Sequence, residues 1–596
     1  MFNRYYQEEL AYLRDMGREF SQAMPEAARF LGEAGTDPDV ERILEGFAFL
    51  TARIRQKLDD EVPELTHAVL EMLAPHYLQP TPPMTVMSFE PTAGALQKPH
   101  TVPRGSEVAS KPVEGTACLY RVAYDTELVP LKVTGLEVRR ESPRQVRLRF
   151  EPLPGAKLEA YELKKVRLFL TGDSLAARSL YMCLCRYFES ARVNLFESAE
   201  ALSRGLDEDA TTTALPQFAC RAVGLEANEA MLGEPKSAFP GMRLLREYFA
   251  FPQKFLFVDL EGFEPLEFPE TFAGFDLVLN VARFPEDMPP VSAHNVALNC
   301  APAINLFTHQ AVPISLDFRQ REYRVRPAGD INHYEIQSVE EVHGTSRATN
   351  TQRAFRPLFD IALDDPRKGP FYLTRRRFAM TQDATEVWIA FLGSEVGPDA
   401  RTADGRLRLD EVISLELTCS NRLLSTKLSI GDICEATETS PKFARFKNIT
   451  RPTATIPPPL EGDDFWRLIA HLAVHHQSLL QPQVLRGLLT LYNFPARVDR
   501  QAELAHKRLL EGIAGIEASP QTRLLDGSPV RGIGVTIELH EDGFGSEGDL
   551  YLFGTVLNAV LAHGVTLNSF HHLTVHGTKF GETHAWPATI GNHPPI

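Results

Sequence analysis

The chain has 596 residues, 43% of them hydrophobic, 23% charged and 9% aromatic; that is ordinary globular composition, and at about 150 residues per domain it suggests roughly four domains. Disordered, collagen-like and coiled-coil classes are excluded. With 62 Lys and Arg against 78 Asp and Glu, the net charge of −16 gives the surface as a whole no reason to seek nucleic acid or anionic lipid.

From Phe2 to about Ala74 the apolar residues recur at helical spacing and proline keeps to segment starts and ends, which predicts three or four helices. Phe2, Tyr6, Leu10, Leu13, Phe20 and Met24 make one stripe. A second, opened by Asp37 and Pro38, runs through Val40, Ile43, Leu44, Phe47, Leu50, Ile54 and Leu58, and a third helix starts at Pro63. The first 80 residues hold 8 basic and 15 acidic side chains, a net of −7, so this is no basic membrane-surface amphipath. Glu8, Glu9 and Asp15 sit where a secretory signal needs an apolar core, and no run approaches the roughly 18 apolar residues that span a bilayer. The expectation is a soluble, cytoplasmic chain whose seven scattered cysteines stay reduced.

The prolines of APHYLQPTPPM end the helical segment, 1–84. Short alternating or β-branched runs follow, among them LKVTGLEVRR, KKVRLFL, FDLVLNVARF, EVWIAFLG and ISLELT, with helical inserts at Ser174 to Phe188 and Met242 to Phe249. They predict mostly antiparallel sandwich or barrel-like domains, divided into 85–300 and 301–456. Three successive prolines at 457 to 459 mark a linker into a mixed α/β domain, 457–596. There, helices are expected after Asp463 or Asp464, at Gln483 to Tyr492 and at Asp549 to His563. Strands are expected at Gly532 to His540 and Val565 to His576, and the last twenty residues as an irregular tail. The fold class is α+β multidomain.

Four motifs invite chemistry. Gly543, Gly545 and Gly548 match G-x-G-x-x-G between a predicted strand and helix, but Glu547 and Asp549 place carboxylates where a pyrophosphate would sit. The expectation is a glycine-rich turn with an acidic first helical turn, and a strain cost at Gly545 if it takes positive φ. His471 with His475 has the i, i+4 spacing of a zinc pair, next to His476, and a third ligand would have to come from His571, His572 or His576. Position 472 is Leu, so the glutamate of an H-E-x-x-H protease is missing, and exposed helix histidines fit better. Cys183 and Cys185, two apart on a helix, face different ways and suit packing. Arg375, Arg376 and Arg377 suit either a grip on a carboxylate-rich partner or a strand with one solvated face. No G-x-S-x-G and no Walker loop occurs.

Several longer stretches carry a more specific signal. They are YYQEELAYLR (5–14), DPDVERILEGFAFLTARIRQKLDDEVPELT (37–66), APHYLQPTPPM (74–84), PRG (103–105), LREYFAFPQKFLFVDL (245–260), LNCAPAINLF (298–307), LTCSNRLL (417–424), and YLFGTVLNAVLA with NSF (551–570). In this order the chain resembles the TssF family (ImpG/VasA family), baseplate subunits of the bacterial type VI secretion system, a contractile injection machine similar to phage tails. HLAVHHQSLL departs from the more apolar, Asn-bearing segment expected there.

The resemblance implies a structural subunit and no enzyme: two TssF copies join one TssG in a wedge that binds TssK and the sheath-linked TssE, six wedges surround the VgrG spike, and the assembly docks on the inner-membrane complex. It implies no cofactor, metal, nucleic acid or small-molecule substrate. Tyr6, Leu10, Leu13, Phe47, Leu50, Ile54 and Leu58 are then candidate packing or interface residues, with the chain's own core as the equal alternative. The competing classes are an enzyme with a histidine-based metal site in the C-terminal domain, and an exported carbohydrate-binding β protein.

Overall fold

The computed structural model describes residues 2–23, 38–59, 63–92, 94, 100–156, 162–233, 241–269, 272–316, 320–346, 350–358, 370–379, 384–392, 411–460, 464–472, 480–525, 528–579 and 581–591. It forms two units, one of Met1–Leu78 with Pro459–Ala470, the other of Gln79–Pro458 with His471–Ile596. Helices and mostly antiparallel sheets make it a mixed α+β multidomain chain.

In the first unit, helices Phe2–Ala23 and Pro38–Asp59 pack antiparallel, tied by Arg14 to Glu41 at 2.9 Å and Arg55 to Glu9 at 2.7 Å. Their seam is narrow because its inward positions are small: Ala48 and Ala52 are buried beside Leu10. Helix Pro63–Leu73 and the turn Pro75–Leu78 follow, with His67 and Tyr77 set edge-on against Phe465 of helix Asp464–Leu472. The segment after the linker thus joins the N-terminal helices instead of the C-terminal domain, a placement that nothing local in the chain encodes.

The second unit is built on sheets. A six-stranded sheet orders Ile433–Ala436, Glu107–Ser110, Leu119–Val122, Cys300–Ile304, Met84–Pro91 and Ala444–Asn448. Residue 300, taken above as a division, is the first residue of a strand in the middle of this sheet. A five-stranded sheet runs Thr211–Leu215, Phe188–Phe196, Gly274–Val281, Gln145–Pro152, Leu131–Arg139; an eight-stranded one is centred on Glu335–Ser346 and Glu411–Ser420. Buried clusters lie around Phe89, Tyr120 and Ile433, and around Phe355, Ile389 and Leu417.

At the C-terminal end, Ser528–Leu539 and Ser569–Gly577 pair in parallel, which requires a crossover; helix Glu547–Ala562 supplies it. That helix is apolar on all sides and accordingly buried, packed on helices Ser174–Cys185 and Gly241–Ala250. Helix Arg500–Gly512 and strand Ile513–Leu525 were not legible in sequence: Gly515 and Pro520 break the strand's alternation, and the long antiparallel pairing with Ser528–Leu539 overrides them. The expected irregular tail instead holds strands Thr583–Ala585 and Thr589–Ile590, each too short to show a period. No helix among the described residues is long and apolar enough to cross a membrane. All seven cysteines are unpaired; burial pushes the thiols of Cys183, Cys185, Cys300 and Cys419 up to about 12, which leaves them unreactive.

Candidate functional site

The family-like stretches meet in pairs inside the second unit. Glu247, fully buried, accepts hydrogen bonds from the Met231 and Leu232 amides at 2.9 and 2.8 Å and from Arg243 at 3.1 Å, and it pairs with Lys254. Burial raises the Glu247 carboxyl, but the Lys254 and Arg243 cations more than offset it and hold the group ionised, below the usual range. Burial draws Lys254 down to about 8 against the pull of Glu247.

Next to Glu247, buried Arg246 donates to the carbonyls of Gln79 and Pro80 at 2.7 and 2.9 Å and lies over the Phe494 ring. Residues of LREYFAFPQK thereby hold the proline-rich QPTPP segment in place of the regular hydrogen bonds that prolines cannot make. Asn305 of LNCAPAINLF donates to Asn421 of LTCSNRLL at 2.9 Å and to the Leu119 carbonyl at 2.7 Å. In PRG, Arg104 donates to the Asn228 and Ala230 carbonyls, and Gly105 takes φ 88°, which a side chain would resist. Glu247, Arg246, Lys254, Asn305 and Asn421 are buried while Arg104 lies at the surface; these bonds specify the fold, and the groups do not converge on a cleft as a reactive set.

The motif candidates for chemistry are also occupied by structure. In GFGSEG, Ser546 caps helix Glu547–Ala562 by accepting from the Asp549 amide, and Asp549 pairs with Arg178 at 3.0 Å. Glu547 pairs with Arg283 and accepts from Tyr187 at 2.8 Å. The helix N-terminus is filled by the protein's own carboxylates.

The conditional strain at Gly545 does not arise, since its φ is not positive and an added Cβ meets nothing closer than 3.6 Å. Gly548 is the constrained one: a Cβ there falls 2.6 Å from the Arg178 backbone, so this glycine lets two helices approach. Gly545→Ala is expected to change stability by under about 0.5 kcal/mol and Gly548→Ala to cost roughly 1 to 3 kcal/mol. Melting curves of the two variants check this, and equal effects would refute it.

His475 and His476 lie outside the described residues, as does the side chain of His471. The strand histidines do not converge: buried His571 and half-buried His572 are successive and face opposite ways, and His576 bonds Thr583 at 2.7 Å. Arg375 and Arg377 both pair with Glu322, and buried Arg376 binds Thr385 and the Gln337 carbonyl, so the basic cluster is satisfied from within.

What remains open is the outer side of the N-terminal helices. Ile43, Phe47, Leu50 and Ile54 follow one another at i, i+4, i+7 and i+11 and are 61, 59, 60 and 61% exposed. Tyr12, Met16 and Phe20 form a second exposed stripe on helix Phe2–Ala23. Of the candidate residues, Leu10 is buried, Tyr6 and Leu13 are half-buried, Phe47, Leu50 and Ile54 are exposed, and the Leu58 side chain lies outside the described residues. The single stripe read from sequence is two: Leu44, Ala48 and Ala52 face inward, and the large side chains stand about a third of a turn away.

Comparison with known proteins agrees along the whole chain. The family described as "Type VI secretion system, TssF" matches residues 1–593. The type VI secretion system component TssF1 of Pseudomonas aeruginosa is 30% identical, covering 99% of this chain and 98% of the relative. A chain from the cryo-electron microscopy structure of the type VI secretion system TssK-TssF-TssG baseplate subcomplex superposes with a TM-score of 0.74 at 28% identity, covering 93% of this chain and 100% of that one. A chain from the baseplate complex of the type VI secretion system gives 0.64 at 25% identity, with both chains fully covered. With a family match from the first residue nearly to the last, and solved relatives that share the fold, the chain belongs to the TssF family of the type VI secretion system.

Proposed function

We propose that this protein is a structural subunit of a type VI secretion baseplate, joining TssG in a wedge of two copies to one, with TssK as a further partner and with the sheath-linked TssE and the VgrG spike as neighbours in the assembled machine. The observation that carries the reading is the shared fold with a chain of a TssK-TssF-TssG subcomplex over 93% of the sequence. Its function is assembly in the cytoplasm against the inner-membrane complex, without catalysis.

The exposed stripes support it physically. Four large side chains, each about 60% open to water, gain roughly 1 to 2 kcal/mol apiece when a partner covers them. Such a face favours partner contact over isolation. Because TssG and a second copy are the expected cover, the free chain is expected to self-associate at micromolar concentration and to become monodisperse when co-expressed with TssG, at two to one by light scattering. A free chain that is monomeric and ignores TssG would overturn the reading.

A further inference from the structure

Segments far apart in sequence meet at the start of helix Glu547–Ala562, and their charges do not balance. Arg283, just past strand Gly274–Val281, forks across Glu547 and Glu582, its guanidinium 4.8 Å from the centre of the Tyr187 ring. The two carboxylates are half-buried and bring oxygens within 4.8 Å of each other. Both ionised against one guanidinium, they would leave a negative charge uncompensated where water reaches it poorly.

Among the described residues the other groups around the pair supply no cation. The Tyr187 hydroxyl donates to Glu547 at 2.8 Å and burial raises it, so it stays a neutral donor; burial likewise raises the Cys183 thiol. His584, with Nε2 4.0 Å from Glu582, is drawn down to about 4 by burial and is neutral as well. Arg178 is committed to Asp549 at 3.0 Å, and exposed Arg186 donates to the Thr583 carbonyl at 3.5 Å. Glu541, nearby, accepts from the Lys579 amide at 2.9 Å and adds only negative charge.

One proton held by the pair restores the balance, as in other close carboxylates. Burial and the Glu582 carboxyl push Glu547 up to about 7, against the pull of Tyr187 and Arg283. Burial pushes Glu582 up too, but its bonds with Glu547 and Arg283 more than offset this and hold it ionised, below its usual range. We propose that Glu547 and Glu582 form a proton-operated latch, which in its protonated form lets Arg283 clamp the helix start and the residue before strand Thr583–Ala585 to the end of strand Gly274–Val281. When the proton leaves, the second negative charge repels the first and the clamp loosens. The sign follows from linkage: a carboxyl raised in the folded chain contributes its full stability below the ordinary value of 4.5, and that contribution is lost as the pH rises through about 7.

Hydrogen-exchange mass spectrometry of the full chain at roughly pH 6 and roughly pH 8, corrected for the intrinsic exchange rate, tests the latch. Peptides covering 541–552 and 581–590 are expected to lose about tenfold in protection between the two, the ratio for a carboxyl that titrates at about 7 when closed and at 4.5 when open. The loss is expected to vanish in Glu547→Gln, whose amide is uncharged at both, and in Glu582→Gln, where one guanidinium faces one carboxylate. Circular dichroism checks folding; should one variant not fold, the other decides with the parent. Equal protection of the parent at both pH values overturns the proposal. So does a loss that persists in either folded variant, or one of the same size in strand Met84–Pro91, since opening would then be global.

Discussion

Phe47→Asp is expected to leave the chain folded and to abolish its assembly with TssG. Phe47 is 59% exposed on the outer stripe, so in the free chain an aspartate there keeps its hydration and costs under about 1 kcal/mol. Under a partner helix the same carboxylate would be desolvated without a counter-charge, which costs several kcal/mol and weakens binding at least about a hundredfold. Leu10→Asp is the control, because Leu10 is buried in the seam and a charge there should melt the helices themselves. Circular dichroism reports the fold and co-purification reports the complex. A Phe47→Asp chain that still carries TssG at the parent's ratio would place the interface elsewhere.

Lys254→Met is expected to produce the largest loss of stability. It strands the fully buried Glu247 carboxylate with Arg243 as its remaining charged partner, and breaking one side of a buried pair typically costs about 3 to 5 kcal/mol. In a unit this large that is a fall in melting temperature of roughly 3 to 5 °C. Glu247→Gln should also destabilise, since Lys254 then keeps a buried charge with no carboxylate. The two losses should not add, because each variant breaks the same pair. A Lys254→Met melting curve within a degree or two of the parent would show that the network contributes little. The consequence for function is indirect: Glu247 and Arg246 hold the loop at Met231 and the proline-rich strap at Gln79 to Thr81, so their loss should lower the amount of folded subunit before it alters any interface.

The family and the element types were legible in the chain itself. Helical stripes of period 3.6 predict Phe2–Ala23 and Pro38–Asp59, and alternating runs predict strands such as Lys165–Leu170 and Thr385–Leu392. The helix after GFGSEG was equally plain, because Ser546 and an acidic first turn are local signals. All of these depend on neighbours within a turn or a strand.

Tertiary structure decided the rest, because it depends on residues far apart in sequence. Ala48 and Ala52, rather than the larger Phe47 and Leu50, turned out to be the inward positions, since alanines let the two helices close and leave the bulky side chains outside. Arg376, legible only as part of a basic run, lies buried because Thr385 and the Gln337 carbonyl reach it from other strands. Glu247 with Lys254 and Asn305 with Asn421 were invisible as pairs because no spacing rule links them. Only the pairing of strands and helices brings these polar groups together out of water, where a partner's absence costs most.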